Sequence, residues 1–273
     1  MGPRPSGARA PGYSDHGCWA YSSRFERDDA AVEWLLDGAR LGQKLVAVTA
    51  DGDAGLGLLA AITESPDAEL LRGVTYYRVD ELYDMARPID PRAQLAMYSA
   101  HVARAIVDGF NGLRVFCDAT PLIADPARRA SHVRWEHVAD EWMAEGNPLA
   151  ALCAYDIGVV GGQPQSVLAV HPLRHGPPAA AQFGLYWESG RRVLEGEIDT
   201  FAVPALADAL TALPAGPVDI DARRLSFLCA RAATTLARWG RGDGAPRLRL
   251  IGAPPIVRRV WKVLSLDTRM LPG

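Results

Sequence analysis

The chain has 273 residues, 49% of them hydrophobic, with 29 Lys and Arg side chains against 32 Asp and Glu side chains. A chain of this length and composition is predicted to form one large globular domain or two smaller ones, because it can bury most of its apolar surface. The formal net charge of −3 provides no positive field, which argues against direct binding to nucleic acid or to an anionic membrane.

Residues 1–14 are rich in Pro and Gly and are predicted to form a disordered tail. They lack the apolar stretch of a signal peptide, and no segment approaches the roughly 20 apolar residues that a membrane-spanning helix needs. The four cysteines, Cys18, Cys117, Cys153 and Cys229, form no C-x-x-C pair and are too few for a disulfide scaffold. We therefore expect reduced thiols in a cytoplasmic protein.

From His16 onward, short apolar runs alternate with amphipathic helical patterns, which predicts βαβ units and a parallel sheet. The predicted strands are His16–Tyr21, Lys44–Thr49, Val74–Val79, Gly112–Cys117 and Leu149–Tyr155. The predicted helices are Asp29–Leu41, Ala54–Thr63, Pro91–Phe110 and Arg128–Glu145.

A segment rich in Gly and Pro, residues 161–178, then interrupts the pattern and predicts a domain boundary. Beyond it, strands are predicted at Phe183–Trp187, Val193–Ile198, Val218–Ile220 and Arg247–Ile251, with helices at Val203–Leu213, Phe227–Trp239 and Pro254–Leu266. The sequence thus predicts a tail over 1–14, a first domain over 15–176 and a smaller α/β domain over 177–273.

The familiar catalytic motifs are missing. No serine lies in a G-x-S-x-G elbow, and His132, Glu136 and His137 have the wrong spacing for a zinc hydrolase.

The segment Val32–Val48 resembles the helix and strand that follow the phosphate loop of RecA-like and KaiC-like ATPases. Its preceding residues, Tyr21–Asp28, contain no glycine and no lysine, and Glu26 and Asp28 would repel phosphate. We expect negligible nucleotide binding.

Several ordered segments together resemble the MEDS family, the sensory domain of methanogen and methylotroph regulators typified by DcmR. They are His16–Tyr21, Gly38–Val48, Ala105–Val115, Trp135–Glu136, Ala151–Asp156 and His171–Pro172. The resemblance covers about residues 14 to 175. It implies a RecA-like fold that has lost its nucleotide chemistry and senses small molecules, among which hydrocarbon derivatives have been considered.

The C-terminal segments Val193–Asp199, Val218–Ile220, Leu225–Leu228 and Arg249–Leu266 resemble a STAS domain of the anti-sigma-factor antagonist type. Such domains carry a hydroxyl, phosphorylated by a partner kinase, and then a glycine at the start of a helix. At the matching positions this chain has Cys229, Ala230, Arg231 and Ala232, with Arg231 in place of the phosphorylated hydroxyl and Ala232 in place of the glycine, so it lacks both. The resemblance implies docking of an anti-sigma factor or serine kinase near Asp199, Cys229, Ala230 and Arg231, without a phosphorylation switch.

Four side chains from separated segments stand out as possible ligands. His16 and Cys18 lie two residues apart, which places both on one face of a strand, and Cys153 and His171 could join them. Imidazole and thiolate suit zinc or iron, but a metal-free ligand pocket and ordinary core packing fit the same residues. Three further polar residues, Tyr21, Glu136 and Asp156, are candidates for lining a ligand pocket. Alternatively, Glu136 is a charge on a helix surface and Asp156 is a cap at the end of a strand. No cofactor is predicted outright.

These observations favour a cytoplasmic regulator in which a small-molecule-sensing domain controls partner docking by a degenerate STAS-like domain. The alternatives are an enzyme that uses the RecA-like scaffold for nucleotide-dependent or thiol-dependent chemistry, and a purely structural scaffold. The assembly is left open between a monomer and a homodimer.

Overall fold

The computed structural model describes residues 15–50, 53–160, 165–176, 182–243 and 245–272. The predicted tail and the two ends of the predicted boundary segment, residues 161–164 and 177–178, lie outside these residues, so the division at residues 176 and 177 stays a prediction. The described chain has an α/β architecture, as the alternating pattern predicted.

Six described strands form one parallel sheet in the order β3-β2-β4-β5-β1-β6. They are β1 (His16–Tyr21), β2 (Lys44–Thr49), β3 (Thr75–Arg78), β4 (Leu113–Asp118), β5 (Leu149–Asp156) and β6 (Leu173–His175). The central strands β2 and β4 are buried almost throughout, and their sequences are mainly apolar, although β4 also buries Arg114 and Asp118.

Helices connect these strands. They are α1 (Arg24–Arg40), α2 (Asp53–Glu64), α3 (Val79–Leu82), α4 (Pro91–Val107), α5 (Thr120–Ile123), α6 (Pro126–Ala144), α7 (Ile157–Val160) and α8 (Gln165–Leu168), with a 3-10 turn at Ala68–Leu71. Helix α1 begins five residues before the predicted Asp29, because Ser23 and Glu26 form a capping box. It ends near the predicted place, where Gly42 adopts a φ of 68°.

A second sheet of five described strands follows. It contains β7 (Phe183–Glu188), β8 (Arg191–Ile198), β9 (Val218–Asp221), β10 (Leu225–Leu228) and β11 (Leu248–Ile251). Strand β8 pairs antiparallel with β7 and parallel with β9 and β10, while β11 pairs with β9. The accompanying helices are α9 (Val203–Ala212), α10 (Ala230–Trp239) and α11 (Pro255–Val263), with a 3-10 turn at Thr268–Met270.

One predicted helix boundary in this unit is wrong. The predicted helix Phe227–Trp239 starts instead at Ala230, and the residues before it form β10. Leu225 and Leu228 are buried in the sheet, while Phe227 between them is 43% exposed. This spacing satisfied a helical pattern in the sequence, but pairing with β8 decides the structure.

Helix α6 lies between the two sheets and holds them together. It packs against α8 on the side of the first sheet and against β7 and α9 on the side of the second. A continuous apolar core runs through this contact, from Val115 and Cys153 of the first sheet to Leu185 and Leu206 of the second unit. The amide of Leu185 also donates to the carbonyl of Ala169, which directly follows α8. Helix α6 is therefore covered on the side that faces the first sheet and also on the side that faces the second.

Among the described residues, no helix is long and apolar enough to cross a membrane.

Candidate functional site

The candidate site lies under α6, on the face of the first sheet where β1 and β5 run side by side. Residues alternate in direction along a strand, and the register pairs Cys18 with Cys153 and His16 with Ala151. This places His16, Cys18 and Cys153 together on one face. The segment after α8 then brings His171 over the ring of His16, with the two ring centroids 4.2 Å apart.

Glu136 of α6 is the centre of this group. Its Oε2 lies 3.0 Å from His16 Nε2 and 3.4 Å from His171 Nε2. Its Oε1 lies 2.9 Å from His132 Nε2 and 3.6 Å from Cys153 Sγ. Three imidazoles and a thiol therefore surround one carboxylate that is 1% exposed.

A second layer of contacts fixes the rings of His16 and His171, two of the three histidines that face the carboxylate. His16 Nδ1 donates to Asp140 Oδ1 at 3.0 Å, and His171 Nδ1 donates to the Val167 carbonyl at 2.7 Å. Both acceptors can only accept, so each ring must carry a proton at Nδ1. Each ring consequently directs its Nε2 towards Glu136.

The electrostatics of the group follow from the mixture of burial and close charge. Burial by itself lowers the pKa of His16, but hydrogen bonds and charge from Asp140 and Glu136 raise it to about 9. Burial and the charge of His16 also lower the pKa of His171, yet Cys18 and Glu136 raise it to about 9. The pKa of Glu136 is held well below its usual range, because the surrounding imidazoles outweigh its burial.

The cysteine of the group behaves differently. Burial, followed by the charge of Glu136, raises the pKa of Cys153 well above its usual range. The Cys153 thiol therefore stays protonated and is a poor nucleophile. The arrangement therefore suits binding better than thiol chemistry.

The structure brings together three of the four predicted ligand residues, His16, Cys153 and His171, and adds Glu136. One ligand atom from each of these four residues lies within 4.8 Å of every other. Cys18 is adjacent but outside this group, with its Sγ 3.8 Å from the Leu168 carbonyl. The alternative interpretation of Glu136 as a helix-surface charge is wrong, because Glu136 is 1% exposed and its carboxylate faces β1 and β5 of the first sheet.

Tyr21 and Asp156 lie elsewhere, at the carboxyl end of the sheet. The Tyr21 hydroxyl is 3.3 Å from both carboxylate oxygens of Asp118, and Asp156 accepts hydrogen bonds from the amides of Gly158 and Val159. Sequence reasoning missed Asp118, although an acidic residue ending a buried strand was a usable signal. It also missed Arg27, which is 1% exposed.

Arg27 neutralises the acidic residues near the start of α1. Its guanidinium contacts Asp28 at 2.6 Å and Asp118 at 3.1 Å. Asp28 is therefore not the free negative charge that the sequence suggested. The other acid, Glu26, accepts hydrogen bonds from the Ser22 and Ser23 amides and the Ser22 hydroxyl, and these bonds lower its pKa. A carboxylate of the chain thus occupies the place where a helix N-terminus would bind an anion.

The residues predicted for partner docking lie at one end of the second sheet. Asp199 accepts hydrogen bonds from the Phe201 and Ala202 amides, and the Cys229 sulfur accepts from Ala232 at the start of α10. Ala230 and Arg231 are exposed. Because the Cys229 amide donates to Ile198, the Asp199 and α10 segments are neighbours.

The family model of MEDS, the methanogen/methylotroph, DcmR sensory domain, matches residues 15–172. The chain belongs to the MEDS family. No curated protein and no solved structure matches the chain. The MEDS match contains all four residues of the His16, Glu136, Cys153 and His171 group, and it ends one residue after the last of them.

Proposed function

We propose that the chain is a signalling regulator in which the MEDS domain senses a small ligand and the C-terminal α/β unit docks a partner protein. The observation that carries this proposal is the position of Asp140. One of its carboxylate oxygens accepts a hydrogen bond from His16, and the other accepts from the backbone amide of Trp187 in β7. A change at His16 therefore acts directly on a strand outside the MEDS match.

Two more contacts support the same route between the units. The Ala169 carbonyl, two residues before His171, accepts from Leu185 of β7. His137, next to Glu136, donates from Nε2 to the Ala209 carbonyl of α9 at 3.1 Å. A ligand that shifts α6 or the α8 segment must also disturb β7 and α9. The contacts between the two units then differ between the free and the ligand-bound state, as signalling between two states requires.

We further propose that the MEDS domain has a RecA-like architecture from which nucleotide binding has been lost. The parallel sheet and the strand-to-helix step from β1 to α1 support this proposal. Only Ser22 and Ser23 lie between that strand and that helix, too few to surround a phosphate, and Glu26 already occupies their amides. The same contacts support a protein without nucleotide-dependent turnover.

Exposed aromatic side chains on the C-terminal unit support a STAS-like docking role. Phe201 and Phe227 are 85% and 43% exposed and flank the segment where the Cys229 amide bonds to Ile198. Exposed aromatic side chains beside a charged residue such as Arg231 are typical of protein interfaces. The proposed partner is an anti-sigma factor or a serine kinase of the type that docks on STAS domains.

The sensing step can be tested on the full chain with small alcohols, amines and chloroalkanes of one to four carbons. Thermal unfolding would identify the class that binds, and hydrogen exchange followed by mass spectrometry would locate the response. We expect binding to slow amide exchange in residues 165–171 and also in β7 and α9. Binding that leaves β7 and α9 unchanged would contradict transmission to the C-terminal unit, and the absence of binding by all three classes would contradict sensing of such ligands.

A further inference from the structure

We propose that His16, Glu136, Cys153 and His171 bind one divalent transition-metal ion of the zinc and iron(II) class. The donors would be Nε2 of each histidine, a carboxylate oxygen and the cysteine sulfur. That this ion takes part in sensing rests on the proposed function, whereas its binding does not.

The first argument is geometric. Zinc lies about 2.0–2.1 Å from histidine nitrogen and about 2.3 Å from cysteine sulfur, so tetrahedral donors are about 3.3–3.6 Å apart. The distances from Glu136 Oε2 to His16 Nε2, His171 Nε2 and Cys153 Sγ are 3.0, 3.4 and 3.9 Å. The remaining separations are within 4.8 Å. Shifts of about an ångström would close a four-coordinate site.

The second argument is the outer layer of hydrogen bonds. Histidines that bind metals usually donate their other ring N–H to a carboxylate or a backbone carbonyl, which fixes the ring and its tautomer. His16 has the carboxylate of Asp140 in this role, and His171 has the carbonyl of Val167. His132 holds the second carboxylate oxygen of Glu136. These bonds leave His16 Nε2, His171 Nε2 and Glu136 Oε2 facing one another as possible metal ligands.

The third argument concerns an atom with an incomplete set of partners. His171 Nε2 is buried, makes no well-formed hydrogen bond with the described residues, and faces the carboxylate at 3.4 Å. His16 is enclosed by carboxylates at both ring nitrogens. The Nε2 atoms of two rings thus converge on one carboxylate oxygen, and His171 Nε2 makes only a long contact with it. A dication in place of the Nε2 protons would bind both nitrogens and the carboxylate.

The donor set also indicates which cation fits. A buried set of two imidazoles, one thiol and one carboxylate disfavours magnesium and calcium, which prefer oxygen ligands, and it suits zinc or iron(II). None of the four residues is more than 7% exposed. Four protein ligands in a closed site match the pattern of zinc sites that stabilise structure more than that of catalytic ones. Binding would release the Cys153 thiol proton and the Nε2 protons of His16 and His171 to solvent, because each donor binds the metal in its deprotonated form.

Cobalt(II) is the probe that tests this proposal, because a tetrahedral cobalt thiolate site has intense visible bands and a near-ultraviolet sulfur-to-cobalt charge-transfer band. The full chain would be purified under reducing conditions without chelator and its metal content measured. It would then be stripped and titrated with cobalt(II). We expect one equivalent to bind with both sets of bands, and zinc to displace it.

Matched variants separate ligation from packing. Cys153→Ser should abolish the charge-transfer band, while Cys117→Ser should retain it, because Cys117 is equally buried on the neighbouring strand but lies outside the four-donor group. His132→Gln should keep the bands with about 10-fold to 100-fold weaker affinity, as expected for an outer-layer residue. If Cys153→Ser does not fold, the charge-transfer band of the wild-type chain alone decides whether a thiolate is a ligand.

A folded wild-type chain that takes up no cobalt(II), or one whose bound cobalt(II) shows no thiolate band, would overturn the proposal. Loss of the band in Cys117→Ser with retention in Cys153→Ser would overturn the assigned ligand. Metal binding and transmission have separate readouts. If the chain binds metal but amide hydrogen exchange in β7 does not respond to the small ligand, the sensory function is contradicted and the metal site is not.

Discussion

Trp187 donates its backbone amide to Asp140, and this hydrogen bond crosses from the second sheet to α6. The other oxygen of the same carboxylate accepts from His16. Asp140 is 2% exposed, so water cannot replace either partner. One buried carboxylate thus serves the candidate site and the C-terminal unit at once.

Asp140→Asn should destabilise the whole chain, because the amide cannot accept from both partners as the carboxylate does. We expect the free energy of unfolding in urea to fall by about 3 kcal/mol, as when one partner of a buried ion pair is removed. The matched control is Glu141→Gln, which weakens the half-exposed contact with Arg192 and should cost less than about 1 kcal/mol. Equal losses in the two variants would show that the bridge has no special role.

The buried imidazole of His137 should make the protein less stable in acid. Burial lowers the pKa of His137 to about 4, although Asp140 and Glu136 oppose this shift and Arg192 adds to it. The unfolded chain binds a proton near pH 6.5 and the folded chain does not, so stability is lost as the pH falls from about 6.5 to 4. At neutral pH the residue contributes nothing to this linkage.

The size of this effect is about 3 kcal/mol over that pH interval. His137→Gln keeps a donor for the Ala209 carbonyl but removes the titrating group. Urea unfolding of both proteins at pH 7 and pH 4.5 would measure the difference. We expect the wild-type chain to lose more stability on acidification than the variant, and parallel pH profiles would rule out His137 as the cause.

The N-terminus of α1 should not bind nucleotides. Glu26 already accepts from the Ser22 and Ser23 amides, so ATP would have to displace a carboxylate of the chain. Isothermal titration with magnesium and ATP should show no binding at micromolar concentrations. Glu26→Ala should cost about 1 kcal/mol in stability through the lost cap and still not bind ATP. Micromolar affinity, or ATP turnover, would support the enzyme alternative.

Hydroxyl groups near the start of α10 should not serve as a kinase switch. Ser226 donates to the Gly196 carbonyl and Thr234 donates to the Ala230 carbonyl within the helix. Arg231 places a positive charge at this helix start, opposite in sign to a phosphate. After incubation with a serine kinase that acts on STAS domains, mass spectrometry should find no stoichiometric phosphate. Stoichiometric phosphate on Ser226 or Thr234 that releases a partner would restore a phosphorylation switch.

The four thiols should differ in reactivity. Cys18, Cys117 and Cys153 are 0%, 3% and 7% exposed, and only Cys229 is partly accessible. Burial raises the pKa of Cys117 and of Cys153 well above the usual range, which lowers their thiolate fraction further. Iodoacetamide at pH 8 should label Cys229 first, with a Cys229→Ser variant as the control. Rapid labelling of Cys153 would show that the candidate site is open to solvent.

The sequence predicted the α/β alternation well, because buried parallel strands such as β2 contain an unbroken apolar run, Leu45–Val48. The period of two in β1 also placed His16 and Cys18 on one face. The central role of Glu136 could not be predicted in this way. Its burial and its partners come from β1, which is about 120 residues away in the sequence, from β5 and from the segment after α8, and neither periodicity nor charge pattern predicts such contacts.

The same limit applies to Arg27 and Asp118. Their pairing joins the first turn of α1 to the end of β4, and residues 91 positions apart have no local pattern in common. Conversely, local rules decided the position of Ser23, where the capping box with Glu26 was present in the sequence and went unused.

Because α6 is covered by both sheets, the sensory part of this chain is not freely interchangeable between proteins. A different C-terminal unit joined after residue 172 would have to provide a main-chain amide opposite Asp140 and a carbonyl opposite His137. It would also have to cover the apolar side of α6 that β7 now covers. Recombination in evolution, and the design of chimaeric sensors, is thereby restricted to modules that present a matching strand edge and helix.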